Sequence, residues 1–249
     1  MKFIREIALG LSSFGESLKF VSKHKLWLYI ILPGIINIFL LVLIYIFASK
    51  TGDYLSQYAT DIFGLNSGWI YSSFSFLISL LLKILIFFLY SLFYKYLVLI
   101  LMSPVMALLS EKTEQIISGK TYPFNFIKFI KDIMRGIKIA SRNLIVELLI
   151  VLALWIYSFI PLIGLLGPIF IFLIQSYFYG FSMIDYYNER KRLNVRQSIS
   201  FIRSHKGFAI ANGAIFYLLF LIPFLGWLIA PTIGVVSATL GAEKINLKN

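Results

Sequence analysis

The phrases FIPLIG at residues 159–164 and LIPFLG at residues 221–226 each interrupt a long stretch without charged residues, 148–184 in the first case and 207–242 in the second. A second proline follows each phrase, so the uninterrupted apolar segments are only about 11 to 16 residues long. A helix that crosses the ~30 Å hydrocarbon core needs about 20 residues at about 1.5 Å each. We therefore expect each stretch to form a re-entrant helical hairpin that enters and leaves on the same side of the membrane. The predicted hairpin tips contain Pro161, Gly164, Pro168, Pro223, Gly226 and Pro231.

The composition is typical of an integral membrane protein. Of the 249 residues, 59% are hydrophobic and 14% are charged, and the mean hydropathy is +0.87. The surface of a soluble globule needs more charge than this, so that class is excluded. The first apolar run begins only at Leu26 and is longer than a signal-peptide core, which predicts a retained anchor. The sequence contains no cysteine, which excludes disulfides, thiol nucleophiles and thiolate metal sites.

Apolar and basic segments alternate along what we expect to be a single membrane domain, 1–249. The predicted fold class is an all-α integral membrane protein with two long transmembrane helices, two re-entrant hairpins and amphipathic interfacial helices. Its predicted segments are an interfacial N-terminal helix (1–25), a first span (26–49), an external connector (50–68), a long second span (69–110), a basic cytoplasmic helix (111–147), hairpin 1 (148–184), a basic cytoplasmic connector (185–206) and hairpin 2 (207–242).

Lysine and arginine predict the orientation of the chain. The segment before Leu26 holds five of them, 111–142 holds seven and 185–206 holds six, whereas 50–68 holds only Lys50. Because cytoplasmic loops are enriched in these residues, we expect both termini on the cytoplasmic side. An alternative topology with six full spans places each charged segment on the same side of the membrane as the topology with two spans and two hairpins does. Only the length of the apolar segments therefore favours the hairpins.

Three amphipathic segments flank the apolar stretches. The first has an apolar face suited to the membrane interface, formed by Ile4, Ile7, Leu11, Phe14, Leu18 and Val21. The second carries a basic stripe, which we interpret as attraction to anionic lipid headgroups in preference to the gathering of a substrate, formed by Lys128, Lys131, Arg135, Lys138 and Arg142. The third is a short helix predicted by the capping-box residues Asn194 and Gln197.

The sequence has no set of residues with the spacing of a catalytic or metal site. His24 and His205 lie far apart beside lysines, and we expect Glu111 and Glu114 to be solvated where the second span ends. Phosphate loops, nucleophile elbows and zinc-binding helix motifs are missing. We therefore predict no enzyme activity, no cofactor and no metal. The net charge of +12 is spread over membrane-flanking segments, which topology explains better than nucleic-acid binding does.

Polar side chains inside the predicted spans are candidates for a transport pathway. Lys83 and Lys95 lie in the second span, and Asn37 lies in the first. Because an unpaired lysine in hydrocarbon costs several kcal/mol, each lysine either faces a pathway or partner, or reaches the interface with its long side chain. The sequence leaves both interpretations open.

Several motifs together resemble the CysZ sulfate-permease family and its etoposide-induced relatives. They are ILPGIIN at 31–37, SPVMALLSE at 103–111, the two Ile-Pro-x-x-Gly turns, the pair Asp185-Tyr186 and the closing segment 231–240. The resemblance implies a protein of the bacterial inner membrane with two long transmembrane helices and two pairs of hemi-penetrating helices. It also implies homo-oligomers and proton- or gradient-dependent uptake of sulfate. The function we predict is an anion channel or permease, and the basic amphipathic helices predict contacts with membrane lipids.

One segment departs from the family pattern. The family has a sulfate-binding Gly-Leu-Arg-type phrase just before the first span, and the matching positions 25–28 read KLWL. A helix start favours negative charge, so Lys25 beside His24 is a candidate for an inorganic oxyanion such as sulfate. Arg203 and Lys206 match basic positions of the family's last cytoplasmic helix and complete the candidate anion-binding set. The alternative function is a non-transporting scaffold or lipid-interacting protein of the same fold, and a membrane-embedded enzyme is weaker still.

Overall fold

The computed structural model describes residues 2–62, 68–119, 126–157, 161–222 and 225–247, with side chains at all of these except 59–60, 70, 87–96, 99, 128–129, 155 and 161–165. The helices in these ranges are α1 (Lys2–Lys23), α2 (Leu28–Ile62), α3 (Trp69–Ser118), α4 (Phe126–Tyr157), α5 (Pro161–Arg190), α6 (Val195–Ser204), α7 (Lys206–Phe220) and α8 (Leu225–Asn246). The described ranges contain no strand, which confirms the all-α class.

The helices form two compact units. One comprises Met1–Ile35 together with Leu99–Asn249, and the other comprises Ile36–Val98. The first therefore contains α1, α4 to α8, the start of α2 and the end of α3. The second contains most of α2 and the first part of α3.

Within the described residues, three helices are long and apolar enough to cross a membrane. They are Leu28–Tyr58, Leu166–Arg190 and Leu225–Asn246. The first continues past the predicted end of the first span at residue 49, since α2 ends only at Ile62. The predicted long second span lies within α3, which has 50 residues and contains Pro104.

The length argument for the hairpins does not hold for two of their four segments. Pro168 lies inside α5 and Pro231 lies inside α8, so neither proline ends a helix. Each proline removes one backbone hydrogen bond inside its helix, a loss that packing against neighbouring helices can offset in a membrane protein. The helices run on into the flanking polar segments, which is why they exceed the apolar lengths counted from the sequence.

The core of the first unit is built where α5 and α7 cross at very short range. A Cβ atom added at Gly213 of α7 would lie 1.8 Å from the carbonyl oxygen of Ser176 in α5, and one at Gly180 of α5 would lie 1.8 Å from the carbonyl oxygen of Ala209 in α7. No side chain fits at either position, so the two glycines let the backbones touch. Helix α8 packs against both helices, and Asn212 of α7 donates a 2.7 Å hydrogen bond to Ser237 of α8 within this core.

Helix α1 packs on α7 and α8 through a face that the sequence pattern only partly predicts. Its buried residues are Glu6, Gly10, Ser13, Phe14, Ser17 and Val21. Ile4, Leu11 and Leu18 of the predicted apolar stripe are exposed instead. The small buried residues permit close helix packing, and the exposed aliphatic residues leave an apolar surface of the kind expected at a membrane interface.

Candidate anion-binding cleft

Four helices of the first unit line an open cleft of about 1040 Å³, which we call the basic cleft. Four of the side chains that line it are cationic: Arg142 from α4, Arg196 and Arg203 from α6, and Lys206 from α7. The rest of the lining is Val146, Ile150, Leu173, Ile174, Tyr177, Phe178, Ile199, Ser200, Ser204 and Ile210. Among the residues that the structure describes, none of those that line the cleft is a carboxylate, so the cleft has the charge of an anion site.

The start of α6 is fixed by the predicted capping box, which the structure confirms. The Asn194 side chain accepts from the Gln197 backbone N–H at 2.9 Å, and the Gln197 side chain accepts from the Asn194 backbone N–H at 2.8 Å. Ile202 of the same helix is fully buried. This anchoring leaves Arg196 and Arg203 exposed on the cleft side.

A buried ion pair holds the segment that leads into α6. The Arg135 guanidinium of α4 donates to both carboxylate oxygens of Asp185 in α5, at 2.9 and 3.2 Å, and its Nε donates to the Leu193 carbonyl at 2.9 Å. The Ser198 hydroxyl of α6 also donates to Asp185, at 2.5 Å. Arg135 therefore joins α4, α5 and the start of α6.

This ion pair corrects the prediction of one continuous basic stripe on α4. Arg135 faces inward with its side chain only 13% exposed, and Arg142 lines the basic cleft. Lys131 and Lys138 are exposed, as a headgroup-facing stripe requires. Spacing alone cannot reveal the difference, because the acidic partner of Arg135 comes from a helix 50 residues away.

The four cations of the basic cleft are not ion-paired within the part of the chain that the structure describes. Arg142 donates a 2.7 Å hydrogen bond to the side chain of Asn143, which orients the guanidinium without neutralising it. The Ser200 hydroxyl adds a neutral donor to the lining, whereas the Ser204 hydroxyl donates to the Ser200 carbonyl at 2.9 Å. Arginine forks and hydroxyls of this kind suit the oxygens of a tetrahedral oxyanion.

The predicted anion-binding residues occupy two different places. Arg203 and Lys206 meet in the basic cleft, whereas Lys25 and His24 lie in the turn between α1 and α2 and do not line it. The turn is closed by hydrogen bonds from Lys25 to the Ser22 carbonyl and from Leu26 to the Val21 carbonyl. Lys25 itself has a φ of 55°, the left-handed conformation that such helix ends require.

The pathway candidates have different surroundings. In the second unit the Lys83 ammonium lies 2.7 Å from a carboxylate oxygen of Asp53, to which Ser79 also donates. Lys83 of α3 is therefore ion-paired with a residue of α2. Asn37 is fully buried, and the side chain of Lys95 lies outside the described residues.

The hairpin-tip residues are only partly described. Pro161 is the first residue of α5, and the surroundings of Gly164 and Pro223 lie outside the described residues. Gly226 lies in the first turn of α8, where its backbone N–H donates to the Ile222 carbonyl. A Cβ there would lie 1.8 Å from the Leu219 carbonyl oxygen, so the connection between α7 and α8 requires a glycine at this position.

A buried charge cluster at the end of α3 was missed from the sequence. Glu114, expected to be solvated, is fully buried. The Lys191 ammonium donates to Glu114 at 2.7 Å and lies 3.3 Å from Glu243 of α8, and the Arg190 guanidinium lies 3.5 Å from Glu114. The charges of these two carboxylates and two cations sum to zero. Burial lowers the pKa of Lys191. Its hydrogen bond with Glu114 and the charges of Glu114 and Glu243 raise the pKa by more than burial lowers it, so the pKa lies above its ordinary value.

Comparison with known proteins adds a family match. The family described as "Sulfate transporter CysZ/Etoposide-induced protein 2.4" matches residues 13–231. A protein named sulfate transporter CysZ from Pseudomonas paraeruginosa is 26% identical over 237 residues, covering 93% of each chain. Its namesake from Pseudomonas fluorescens is 27% identical over 239 residues, covering 92% of this chain and 93% of its own.

Proposed function

The chain belongs to the sulfate transporter CysZ/etoposide-induced protein 2.4 family, and on that premise we propose that it is a channel or permease for a sulfate-type oxyanion. The relatives reported above carry the name sulfate transporter, which makes sulfate the first candidate substrate. The basic cleft is the observation that carries the proposal for this chain.

The chemistry of the basic cleft fits a doubly charged oxyanion. Taking such an ion out of water is costly, so a binding site has to supply charge and hydrogen-bond donors together. Arg142, Arg196, Arg203 and Lys206 supply the charge, and the arginine forks donate two parallel hydrogen bonds to neighbouring oxygens. Within the described residues, no ion pair with a carboxylate of the protein neutralises these four cations.

The arrangement in the membrane is part of the same proposal. Two long transmembrane helices, formed by α2 and α3, carry two re-entrant hairpins, formed by α4 with α5 and by α7 with α8. Both termini and the basic cleft then lie on the cytoplasmic side of a bacterial inner membrane. Helix α7, at 15 residues, supports this arrangement because it is only about 22 Å long. Homo-oligomers would bury part of the large apolar surface that single copies expose.

Lys25 and His24 mark a second position for the anion in this proposal. They precede α2, and the positive end of the helix dipole favours negative charge. An anion that travels between the turn at Lys25 and the basic cleft would then meet positive charge at two places.

Uptake of radiolabelled sulfate into proteoliposomes tests the proposed function. We expect uptake by the wild-type protein that is competed by unlabelled sulfate more strongly than by chloride. The double variant Arg196→Gln/Arg203→Gln should lose at least tenfold in apparent affinity, because each charge-assisted hydrogen bond contributes about 1.5–3 kcal/mol. Lys131→Gln/Lys138→Gln is the matched control, since it removes two exposed charges outside the cleft. Equal effects in both pairs, or no sulfate-dependent uptake at all, would contradict the proposal.

The hairpins are tested separately by cysteine labelling, for which the cysteine-free chain is a clean background. A single cysteine placed between Pro161 and Pro168 should resist a membrane-impermeant maleimide added from outside. Labelling from outside would show that α4 and α5 cross the membrane fully.

A further inference from the structure

The polarity of the basic cleft changes along its length. On α4 the lining residues Arg142, Val146 and Ile150 follow one another at four-residue spacing, so a charge at one end gives way to aliphatic groups about 12 Å away. On α7 Lys206 gives way to Ile210 in the same manner. Each of these helices therefore presents a cation first and an apolar surface one or two turns later.

The apolar end of the cleft continues into an exposed apolar surface. Ile150 and Leu173 line the cleft and are also 36% and 41% exposed. Beside them Leu149 of α4 and Ile169 and Phe170 of α5 are exposed as well. In a membrane protein such a surface faces acyl chains, so the cleft opens toward the bilayer interior at this end.

A small inorganic anion uses only part of such a cleft. Sulfate has no apolar part, so contact with Ile150, Leu173 or Ile174 gains it nothing. A ligand with a phosphate at one end and an aliphatic chain at the other uses the whole lining. Burial of each methylene contributes about 0.8 kcal/mol in addition to the charge-assisted contacts of the headgroup.

We infer that the basic cleft binds an anionic phospholipid. Its phosphate lies among Arg142, Arg196 and Arg203, and one acyl chain lies along Val146, Ile150 and Leu173. The inference rests on the proposed function in one respect, because both require the cleft to bind a tetrahedral oxyanion. It goes further in naming a second ligand for the same cations, one that competes with free sulfate.

Native mass spectrometry of the purified protein tests the lipid directly. Detergent-solubilised protein is mixed with phosphatidylglycerol or phosphatidylcholine of equal chain length, or with glycerol phosphate as a headgroup without a chain. We expect phosphatidylglycerol to be retained at least tenfold more tightly than either of the other two. Arg196→Gln/Arg203→Gln should abolish the preference over phosphatidylcholine, and Lys112→Gln, which removes an exposed charge that does not line the cleft, should preserve it. A preference that survives loss of the two arginines would overturn the inference.

The apolar wall is tested by Ile150→Ser, which leaves every cation in place. We expect it to weaken phosphatidylglycerol binding about fivefold and to leave sulfate affinity unchanged, because only the lipid contacts this wall. Equal loss for both ligands would indicate a distorted cleft and no separate lipid contact. A thermal unfolding curve of each variant shows whether it is folded.

Transport and lipid binding fail in distinguishable ways. If sulfate binds but phosphatidylglycerol shows no preference over phosphatidylcholine, the lipid site is wrong and the transport proposal stands. If phosphatidylglycerol binds through the cleft and sulfate neither binds nor crosses, the transport proposal is wrong and the lipid site stands. If both hold, adding phosphatidylglycerol to phosphatidylcholine proteoliposomes should raise the sulfate concentration needed for half-maximal uptake.

Discussion

Replacing Glu114 by glutamine removes one charge from the most deeply buried ion cluster in the described part of the protein. The substitution keeps the size of the side chain, so its effect is electrostatic rather than steric. Lys191 donates to Glu114 at 2.7 Å and would keep its contact with Glu243, whereas Arg190, 3.5 Å from Glu114, would lose that carboxylate. The cluster would then lose one negative charge that both cations contact.

The expected loss follows from burial. Removing one partner of a buried ion pair costs about 3–5 kcal/mol, because the other charge stays buried without compensation. Lys191 keeps contact with Glu243 and is 24% exposed, so we expect the lower end, about 3 kcal/mol. For a protein of this size that corresponds to a fall of roughly 6–12 °C in the unfolding midpoint. The raised pKa of Lys191 means that its contribution is complete below the ordinary lysine pKa and is lost only as pH rises through the folded-state value above it.

Thermal unfolding in detergent, followed by circular dichroism, measures the effect. Glu16→Gln is the matched control, since it breaks the ion pair of Glu16 with Lys244, whose side chains are 48% and 38% exposed. An exposed pair contributes about 0–1 kcal/mol, so the control should shift the midpoint by only about 3 °C or less. Adding Lys191→Met to Glu114→Gln should restore part of the loss. Equal shifts for Glu114→Gln and Glu16→Gln would refute the reasoning that burial makes this cluster costly to break.

Three further changes probe other parts of the first unit. Asp185→Asn leaves the Arg135 guanidinium without its bidentate partner and frees the start of α6; we expect about 3 kcal/mol of lost stability by unfolding, with weaker sulfate binding by equilibrium dialysis. Gly213→Ala places a methyl group 1.8 Å from the Ser176 carbonyl oxygen. We expect it to lower the free energy of unfolding by at least ~2 kcal/mol, although alanine has the better helix propensity. An unchanged unfolding midpoint would contradict the close packing. Lys25→Gly relieves a left-handed residue and should raise stability by about 1 kcal/mol, and a lower midpoint would show that the lysine side chain contributes more than its backbone costs.

Apolar periodicity and helix capping predicted the all-α class and the start of α6, because both depend on residues close together in the sequence. The capping box of Asn194 and Gln197 is complete within four residues, and the structure contains it. Helix ends were harder to predict. Pro168 was expected at a hairpin tip and lies inside α5, because a proline removes only one backbone hydrogen bond and packing of neighbouring helices can offset that loss.

The charged contacts show where sequence reasoning ends. Glu114 is separated from Lys191 by 77 residues and Arg135 from Asp185 by 50, and no local pattern links either pair. The same is true of the basic cleft. Arg203 and Lys206 were predicted to bind an anion, but Arg142 was assigned by its spacing to the headgroup stripe. Its place in the cleft depends on the packing of α4 against α5 and α6, which spacing does not show.

The central claim, that the basic cleft binds an oxyanion, is tested most directly by equilibrium binding of radiolabelled sulfate to the purified protein in zwitterionic detergent. We expect the wild-type protein to bind sulfate and Arg142→Gln/Arg203→Gln to bind at least tenfold more weakly. Lys25→Gln should show a smaller loss, because Lys25 does not line the cleft. Sulfate affinity that is unchanged in Arg142→Gln/Arg203→Gln, with a correctly folded variant, would contradict the account.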